Sequence, residues 1–310
     1  MLIPLGILAA TGVAAGRVGV AGYFGGGEDS ITGRLTRVDK FAFPSDTRST
    51  LGTGLATACT DPAGFADSNV AGYFGGGTIS GGRLSTINKF AFPSDSRTTL
   101  ASGLSTGTGQ LAGFGNTGVA GYLAGGNTGS KTSTVQKWTF PSDTRSTITS
   151  LNQTVESPAG FSNQGVAGYV GGGESFQLES TVNKFAFPSD THSLTTSLSG
   201  GRARLAGMAN SGTAGYFGGG NTGGLTTVDK FAFPGDTRST LGTGLSAATR
   251  DNAGMANSGT AGYFGGGVVS GNQVTTVDKF AFPGDTRSSL GTGLSTATAR
   301  VAGMANEGPF

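Results

Sequence analysis

Two stretches decide the fold: TAGYFGGG at residues 213–220 and TTVDKFAFPGD at residues 226–236. The tripeptide AGY of the first stretch occurs six times, at intervals of 47–50 residues. It contains every tyrosine of the chain: Tyr23, Tyr73, Tyr122, Tyr169, Tyr216 and Tyr263. A period of this length over nearly the whole chain predicts one domain of six similar units.

Each unit contains four short segments with the features of β-strands. In the fifth unit, Thr213–Phe217 is a short apolar segment that ends at glycines, and Thr226–Phe233 alternates in side-chain character with a period of two. Thr237–Leu241 is rich in residues that favour strands, and Asn252–Asn257 consists mainly of small residues. No segment has the apolar stripe of a helix. Four strands in each of six units predict an all-β fold, a six-bladed β-propeller of four-stranded antiparallel blades.

The small-residue segment predicts how this ring closes. It appears for the last time at residues 299–308, and a looser version, GVAAG, lies at residues 12–16. We expect residues 299–308 to complete the blade begun by residues 18–55, because a closed ring leaves no open sheet edge. The propeller then spans residues 13–310, and residues 1–12 form an apolar N-terminal arm. Alternatively, the N-terminal segment supplies that strand and the C-terminus packs as a tail. The repeats begin near residues 18, 68, 117, 164, 211 and 258.

Composition excludes several classes of function. His192 and Cys59 are the single histidine and cysteine, whereas a His/Cys zinc site needs three or four such ligands and a disulfide needs two thiols. A net charge of +2 gives no strong electrostatic attraction for nucleic acid. No apolar run reaches the length of a membrane-spanning helix. No acid–base pair stands out from the repeat background. The sequence therefore predicts a protein that is not an enzyme, with no metal or other cofactor, no nucleic-acid partner and no membrane span.

The order of motifs within a unit resembles the Kelch repeat. Gly219-Gly220, Val228–Phe231, Pro234–Asp236 and Ala253-Gly254 follow the Kelch order of a glycine pair, an aliphatic-x-aromatic strand, an acidic turn and a small-residue strand. This resemblance covers the whole chain and implies the propeller fold. The tryptophan usual after the turn is replaced by Arg48, Arg97, Arg145, His192, Arg238 and Arg287. In overall composition, the chain resembles the Gly/Ser/Thr-rich Kelch-like propellers of phage structural proteins and bacterial surface proteins.

Two charged residues recur in register in every unit. The lysines are Lys40, Lys89, Lys137, Lys184, Lys230 and Lys279. The aspartates are Asp46, Asp95, Asp143, Asp190, Asp236 and Asp285. One interpretation is a charged annulus that captures an anionic ligand or a sugar. We favour a structural ring, in which each lysine pairs with the aspartate of its own turn or with a neighbouring acid, because one ligand rarely needs six equivalent groups.

The loop between the glycine cluster and the lysine strand differs in every unit. Variable loops on a repeated frame are typical places for recognition, although neutral variation explains the pattern equally well. Phe176 is the expected anchor. The candidate recognition residues are Glu28, Asp29, Lys131, Glu174, Phe176, Asn221 and Asn272.

These observations predict a structural, assembly or adhesion module. The most concrete hypothesis is a structural protein of a phage virion, located in the tail, a fibre or the neck or decorating the capsid. Such a protein would be assembled into the particle in the host cytoplasm. Its expected partners are other virion or surface proteins, contacted through residues 1–12, or a host surface glycan, and an oligomer is plausible. The first sixteen residues fit a signal peptide poorly, because no basic residue precedes Arg17. The alternative is a carbohydrate-binding propeller at a cell surface, in which Asp236 and Asp285 would contact the sugar.

Overall fold

A computed structural model describes residues 20–221 and 223–307, which fold into strands with no helix in these ranges. Six antiparallel four-stranded sheets dominate, and we label the strands of each sheet A to D from one edge to the other. The A strands are Ala302–Asn306, Ala63–Asp67, Ala112–Asn116, Ala159–Asn163, Ala206–Asn210 and Ala253–Asn257 in sheets 1 to 6. The B strands are Ala21–Gly25, Ala71–Gly75, Ala120–Ala124, Ala167–Gly171, Ala214–Gly218 and Ala261–Gly265. The C strands are Val38–Ala42, Ile87–Ala91, Val135–Thr139, Val182–Ala186, Val228–Ala232 and Val277–Ala281. The D strands are Thr47–Thr50, Ser96–Thr99, Thr144–Ile148, Thr191–Thr195, Thr237–Thr240 and Thr286–Ser289.

Short strands extend some of the loops. Glu28–Asp29 pairs with Gly33–Arg34, and Thr78–Ile79 pairs with Gly82–Arg83. A three-stranded sheet consists of Thr249–Arg250, Val268–Val269 and Asn272–Gln273. These pairs all follow the glycine cluster of a B strand or precede an A strand.

The A strands contact one another in cyclic order, from sheet 1 through sheet 6 and back to sheet 1. They are closest at a glycine in each strand. A Cβ atom built on any of these glycines would lie 2.1–2.6 Å from the carbonyl oxygen of the equivalent glycine in the neighbouring A strand. These glycines are Gly64, Gly113, Gly160, Gly207, Gly254 and Gly303. The small-residue character of the A strand therefore follows from direct backbone contact, since no other residue fits at this position.

Large side chains pack on small ones between neighbouring sheets. Met208 of the A strand in sheet 5 lies against Gly262 of the B strand in sheet 6, where an added Cβ would lie 2.2 Å from its sulfur. Phe161 lies in the same way on Gly215. Together with buried residues such as Phe231, these side chains form six apolar clusters, each shared by adjacent sheets. Both faces of the B strands are buried, which explains why they have no polar face.

Sheet 1 combines segments from the two ends of the described chain. Its A strand, Ala302–Asn306, pairs antiparallel with its B strand, Ala21–Gly25, with Met304 opposite Tyr23. The other five sheets each consist of four strands in chain order. The apolar arm expected at residues 1–12 and the alternative strand at residues 12–16 lie outside the described residues.

A candidate recognition face at one end of the sheets

The recurring lysines and aspartates connect neighbouring sheets. Each lysine ammonium lies 2.5–2.6 Å from a carboxylate oxygen of the aspartate in the next repeat, not of the aspartate six residues further along its own repeat. The pairs are Lys40–Asp95, Lys89–Asp143, Lys137–Asp190, Lys184–Asp236, Lys230–Asp285 and Lys279–Asp46. The last pair joins the sixth repeat to the first.

The repeated tyrosine completes each of these contacts. Its hydroxyl donates to the other oxygen of the same carboxylate at 2.7–2.9 Å, as Tyr216 does to Asp285. The lysine ammonium also lies 5.4–5.6 Å from the centre of the tyrosine ring, within cation–π range. Burial, followed by the hydrogen bond to the carboxylate, raises the pKa of all six tyrosines. Both oxygens of each aspartate are thus used in joining two sheets, which favours a structural role.

Because the strands are antiparallel, the connections between them lie at two opposite ends of the sheets. The hairpins between A and B strands and the Pro-containing turns between C and D strands lie at one end, which we name the turn end. The loops between B and C strands and the segments from a D strand to the next A strand lie at the other, which we name the loop end. Bridges such as Glu28 with Ala299 and Glu174 with Glu156 hold the two kinds of loop together. All seven candidate recognition residues belong to the loop end.

Four of these seven residues are charged, and each has contacts within the protein. The Lys131 ammonium lies 3.0 Å from the Glu174 carboxylate and so links two neighbouring loops. Glu28 lies 3.5 Å from a guanidinium nitrogen of Arg300. The Asp29 carboxylate accepts from the backbone N–H groups of Ile31 and Thr32, and the bond from Thr32 is the main cause of its lowered pKa. Asp29 therefore caps its own loop, whereas Lys131, Glu174 and Glu28 retain partial exposure.

The other three candidates differ in exposure. The Phe176 side chain is fully exposed at the tip of its loop, and Leu178 nearby is one-third exposed. Asn272 is exposed and donates to the Ser270 carbonyl at 3.4 Å. Asn221 is half-buried, has a φ of +68°, and its side-chain oxygen has no hydrogen-bond donor in the described structure. Phe176 is therefore the clearest apolar anchor at the loop end.

The loop end also contains a set of residues that sequence reasoning missed. One residue of each repeat lies two positions before the A strand and has a φ of +54° to +60°. The backbone N–H of each donates to the carbonyl of the equivalent residue in the preceding repeat at 2.8–3.0 Å, and the bond from Asp61 to Arg300 closes the cycle. We name this set the polar cycle: Asp61, Gln110, Ser157, Arg204, Asp251 and Arg300. The sequence offered one signal for these residues: the two positions before the constant Ala-Gly pair vary between repeats.

The single-copy residues have structural environments. Trp138 is buried and donates to the Ser102 carbonyl at 2.8 Å. His192 packs on Phe185 and hydrogen-bonds to Asn183, and burial lowers its pKa. Cys59 is a free, buried thiol, and desolvation raises its pKa to about 12. Such a thiol is a poor nucleophile at neutral pH.

The sequence matches no model of a known protein family, and no curated protein matches it. Within residues 20–221 and 223–307, no three His, Cys, Asp or Glu side chains come together in a way that could hold a metal ion. The same ranges contain no helix with the length and apolar character needed to cross a membrane.

Proposed function

We propose that the chain is a six-bladed β-propeller of the Kelch-like type. Its six sheets are the blades, and their A strands surround a central axis. The cyclic order of A-strand contacts supports this proposal, as do two closed series of contacts: the Lys–Asp pairs and the backbone hydrogen bonds of the polar cycle. The pairing of Ala302–Asn306 with Ala21–Gly25 supports closure of the first blade by the last strand.

This propeller acts as a non-enzymatic assembly or adhesion module that binds a partner with its loop end. One observation carries the proposal: residues that differ between repeats collect at the loop end, on a frame of identical inter-sheet contacts. The exposed Phe176 and the partly exposed Lys131–Glu174 pair give this face an apolar anchor beside charged groups, and Ile31 is a second exposed apolar side chain at the same end. Large aromatic residues at the centre of such a surface contribute disproportionately to binding.

The setting proposed for this module is a phage virion, in a tail, fibre, neck or capsid decoration. The Gly/Ser/Thr-rich repeat, the low charge and the reliance on packing rather than disulfides support it. The partners would be other virion proteins or a host surface glycan. Against the alternative of a cell-surface lectin that uses Asp236 and Asp285, both carboxylates already accept from tyrosine and lysine side chains.

Antibody labelling tests the location. Gold-labelled antibodies against the purified protein should decorate intact phage particles from the bacterial culture that carries the gene. Labelling confined to bacterial surfaces would overturn the virion assignment and favour the lectin alternative. Terminase, portal and tail genes beside this one would agree with particle labelling, and sugar-uptake genes would contradict it.

A matched pair of variants tests which end binds. Particles of the kind that the antibody labels are first stripped of the protein, and the purified chain should then bind to them again. Phe176→Ser at the loop end should weaken reattachment by about tenfold or more, since an exposed aromatic anchor is lost. Val166→Ser is the control, because Val166 is half-exposed at the turn end. Equal losses in both variants, or a loss only in Val166→Ser, would show that the loop end is not the binding face.

A further inference from the structure

The polar cycle surrounds a cavity at the loop end. The cavity has a volume of about 70 Å³ and is lined by the six residues of the cycle and by the residue that follows each one. One water needs roughly 10–15 Å³ on this measure, so the space accommodates a molecule of about five non-hydrogen atoms or slightly more. None of the six lining residues of the cycle is fully exposed, and Asp251 is buried.

Four residues of the cycle have partners within the protein. The Gln110 amide donates to the Ser157 hydroxyl at 3.2 Å. Asp251 accepts from the guanidinium of its neighbour Arg250. Arg300 lies 3.5 Å from Glu28. These contacts account for the residues on both arcs between Asp61 and Arg204, and for two of the four charges of the cycle.

Arg204 and Asp61 differ from these four. In the described part of the chain, the Arg204 guanidinium has neither a hydrogen-bond acceptor nor a carboxylate at ion-pair distance. Asp61 interacts with Thr60 and is attracted by Arg300, but no cation in the described ranges lies within ion-pair distance of it. They are three positions apart in a cycle of six, on opposite sides of the cavity. The cavity therefore places a positive group opposite a negative one, and neither has an ion-pair partner within the described residues.

Asn252 also lines the cavity, but its side-chain amide does not face it. Both amide atoms are buried, and a Cβ built on Gly219 would lie 3.0 Å from the amide oxygen and 3.2 Å from Leu245. The amide is therefore packed beside Gly219 and Leu245, without a hydrogen-bond partner in the described structure. The equivalent residues of the other repeats are all apolar: Pro62, Leu111, Pro158, Leu205 and Val301. The site therefore depends on the residues of the polar cycle.

The backbone conformation of Arg204 supports a role for its side chain. Its φ of +60° lies in the left-handed region, where glycine, asparagine and aspartate are tolerated far better than arginine. The frame itself would be more stable with one of those residues. Asp61, Gln110 and Ser157 occupy the equivalent positions at similar φ, so the backbone does not require arginine here.

We propose that this cavity binds a small zwitterion, a molecule with one carboxylate and one ammonium group. The carboxylate is held by Arg204 and the ammonium by Asp61. A guanidinium presents paired N–H groups that match a carboxylate, and a carboxylate accepts readily from an ammonium. This small-molecule site is separate from the partner surface around Phe176.

Calorimetric titration of the full chain at about pH 8 tests the proposal. The probes are glycine, β-alanine and γ-aminobutyrate as zwitterions of increasing length, with acetate and methylammonium as ions of single charge. At least one zwitterion should bind at millimolar concentration or below, and much more tightly than either single ion. If no zwitterion binds, the proposal is wrong. If acetate binds as tightly as the best zwitterion, the site is a simple anion site, and the proposal is equally overturned.

Three variants identify the residues. Arg204→Asn and Asp61→Asn should each weaken zwitterion binding by about tenfold or more, because each removes hydrogen bonds to a charged group. Asparagine suits a positive φ, so both variants are expected to fold. Ser270→Asn is the matched control, because Ser270 also has a positive φ, of +48°, but is exposed and lies outside the cavity, so this variant should bind normally. Unchanged binding by Arg204→Asn or Asp61→Asn, or an equal loss in Ser270→Asn, would contradict the assignment.

Discussion

At the turn end, the six repeats use the same residues for the same contacts, whereas at the loop end they use different residues at equivalent positions. The Tyr–Lys–Asp contact recurs six times with nearly constant distances. In the polar cycle, the backbone hydrogen bonds recur six times but the side chains include two acids, two arginines, a glutamine and a serine. The comparison teaches that the repeated contacts between sheets hold the sheets in place. Side chains that could bind a ligand are found where the repeats differ from one another.

The largest expected effect comes from the glycines of the A strands. Gly113→Ala should lower the free energy of unfolding by about 3 kcal/mol or more, because a Cβ there would lie 2.2 Å from the Gly64 carbonyl oxygen and the two backbones would have to separate. Gly242→Ala is the control, since nothing lies within 4 Å of its added Cβ. Urea unfolding of both variants measures the difference. A stability loss below about 1 kcal/mol for Gly113→Ala would mean that the A strands are further apart than described.

The shared aspartate has the next largest effect. Asp285→Ala should lower the unfolding free energy by about 2–4 kcal/mol, because it leaves the half-buried Lys230 ammonium and the Tyr216 hydroxyl without their acceptor. Glu174→Ala breaks the partly exposed ion pair with Lys131 and should change the free energy of unfolding by less than about 1 kcal/mol. The two variants are compared by urea unfolding at the same pH. If the two variants lose similar amounts of unfolding free energy, the repeated contacts between sheets are no more important for stability than the contacts of the loop end.

Asp61 gives a smaller effect that depends on pH. Burial raises the pKa of Asp61 to about 6, with Asp251 and Glu28 adding repulsion and Arg300 and Thr60 opposing it. A carboxyl group whose pKa is higher in the folded state binds more protons there, so the protein gains stability as pH falls from about 6 towards 4. Asp61→Asn should therefore be more stable than the natural chain by about 1–3 kcal/mol at about pH 8, with a smaller difference near pH 4.

Unfolding of the natural chain and the variant across this pH range measures the difference. Ser157→Asn is the control, because neither residue titrates and its effect should be independent of pH. A constant difference for Asp61→Asn would show that Asp61 is ordinarily solvated.

The strands were predictable from the sequence, because their patterns are local. In the fifth repeat, the predicted segment Thr213–Phe217 corresponds to the strand Ala214–Gly218, and Asn252–Asn257 corresponds to Ala253–Asn257. Alternation, Pro-containing turns and glycine clusters fix such strands within one repeat. The repeat likewise predicted an all-β chain of four-stranded antiparallel sheets, which the structure has.

The candidate site was less predictable, because it depends on contacts between repeats. Lys230 and Asp236 are six residues apart and suggest a local pair, but Lys230 contacts Asp285, fifty-five residues away. Arg204 is one residue in a loop, and nothing in its neighbourhood indicates a positive φ or a cavity. Phe176 could be named from the sequence because an apolar side chain in a variable polar loop is conspicuous. Partnerless groups such as the Asn252 amide become visible only in three dimensions.

The pairing of Ala302–Asn306 with Ala21–Gly25 affects how the molecule is made. During synthesis, the B strand of sheet 1 leaves the ribosome long before its A-strand partner, so five sheets are complete while the first still has an exposed edge. That edge must stay protected from other chains for most of translation, since unpaired edges invite association. Val20 and Asn306 are also hydrogen-bonded neighbours, so a short linker could join them and new termini could be opened in another loop.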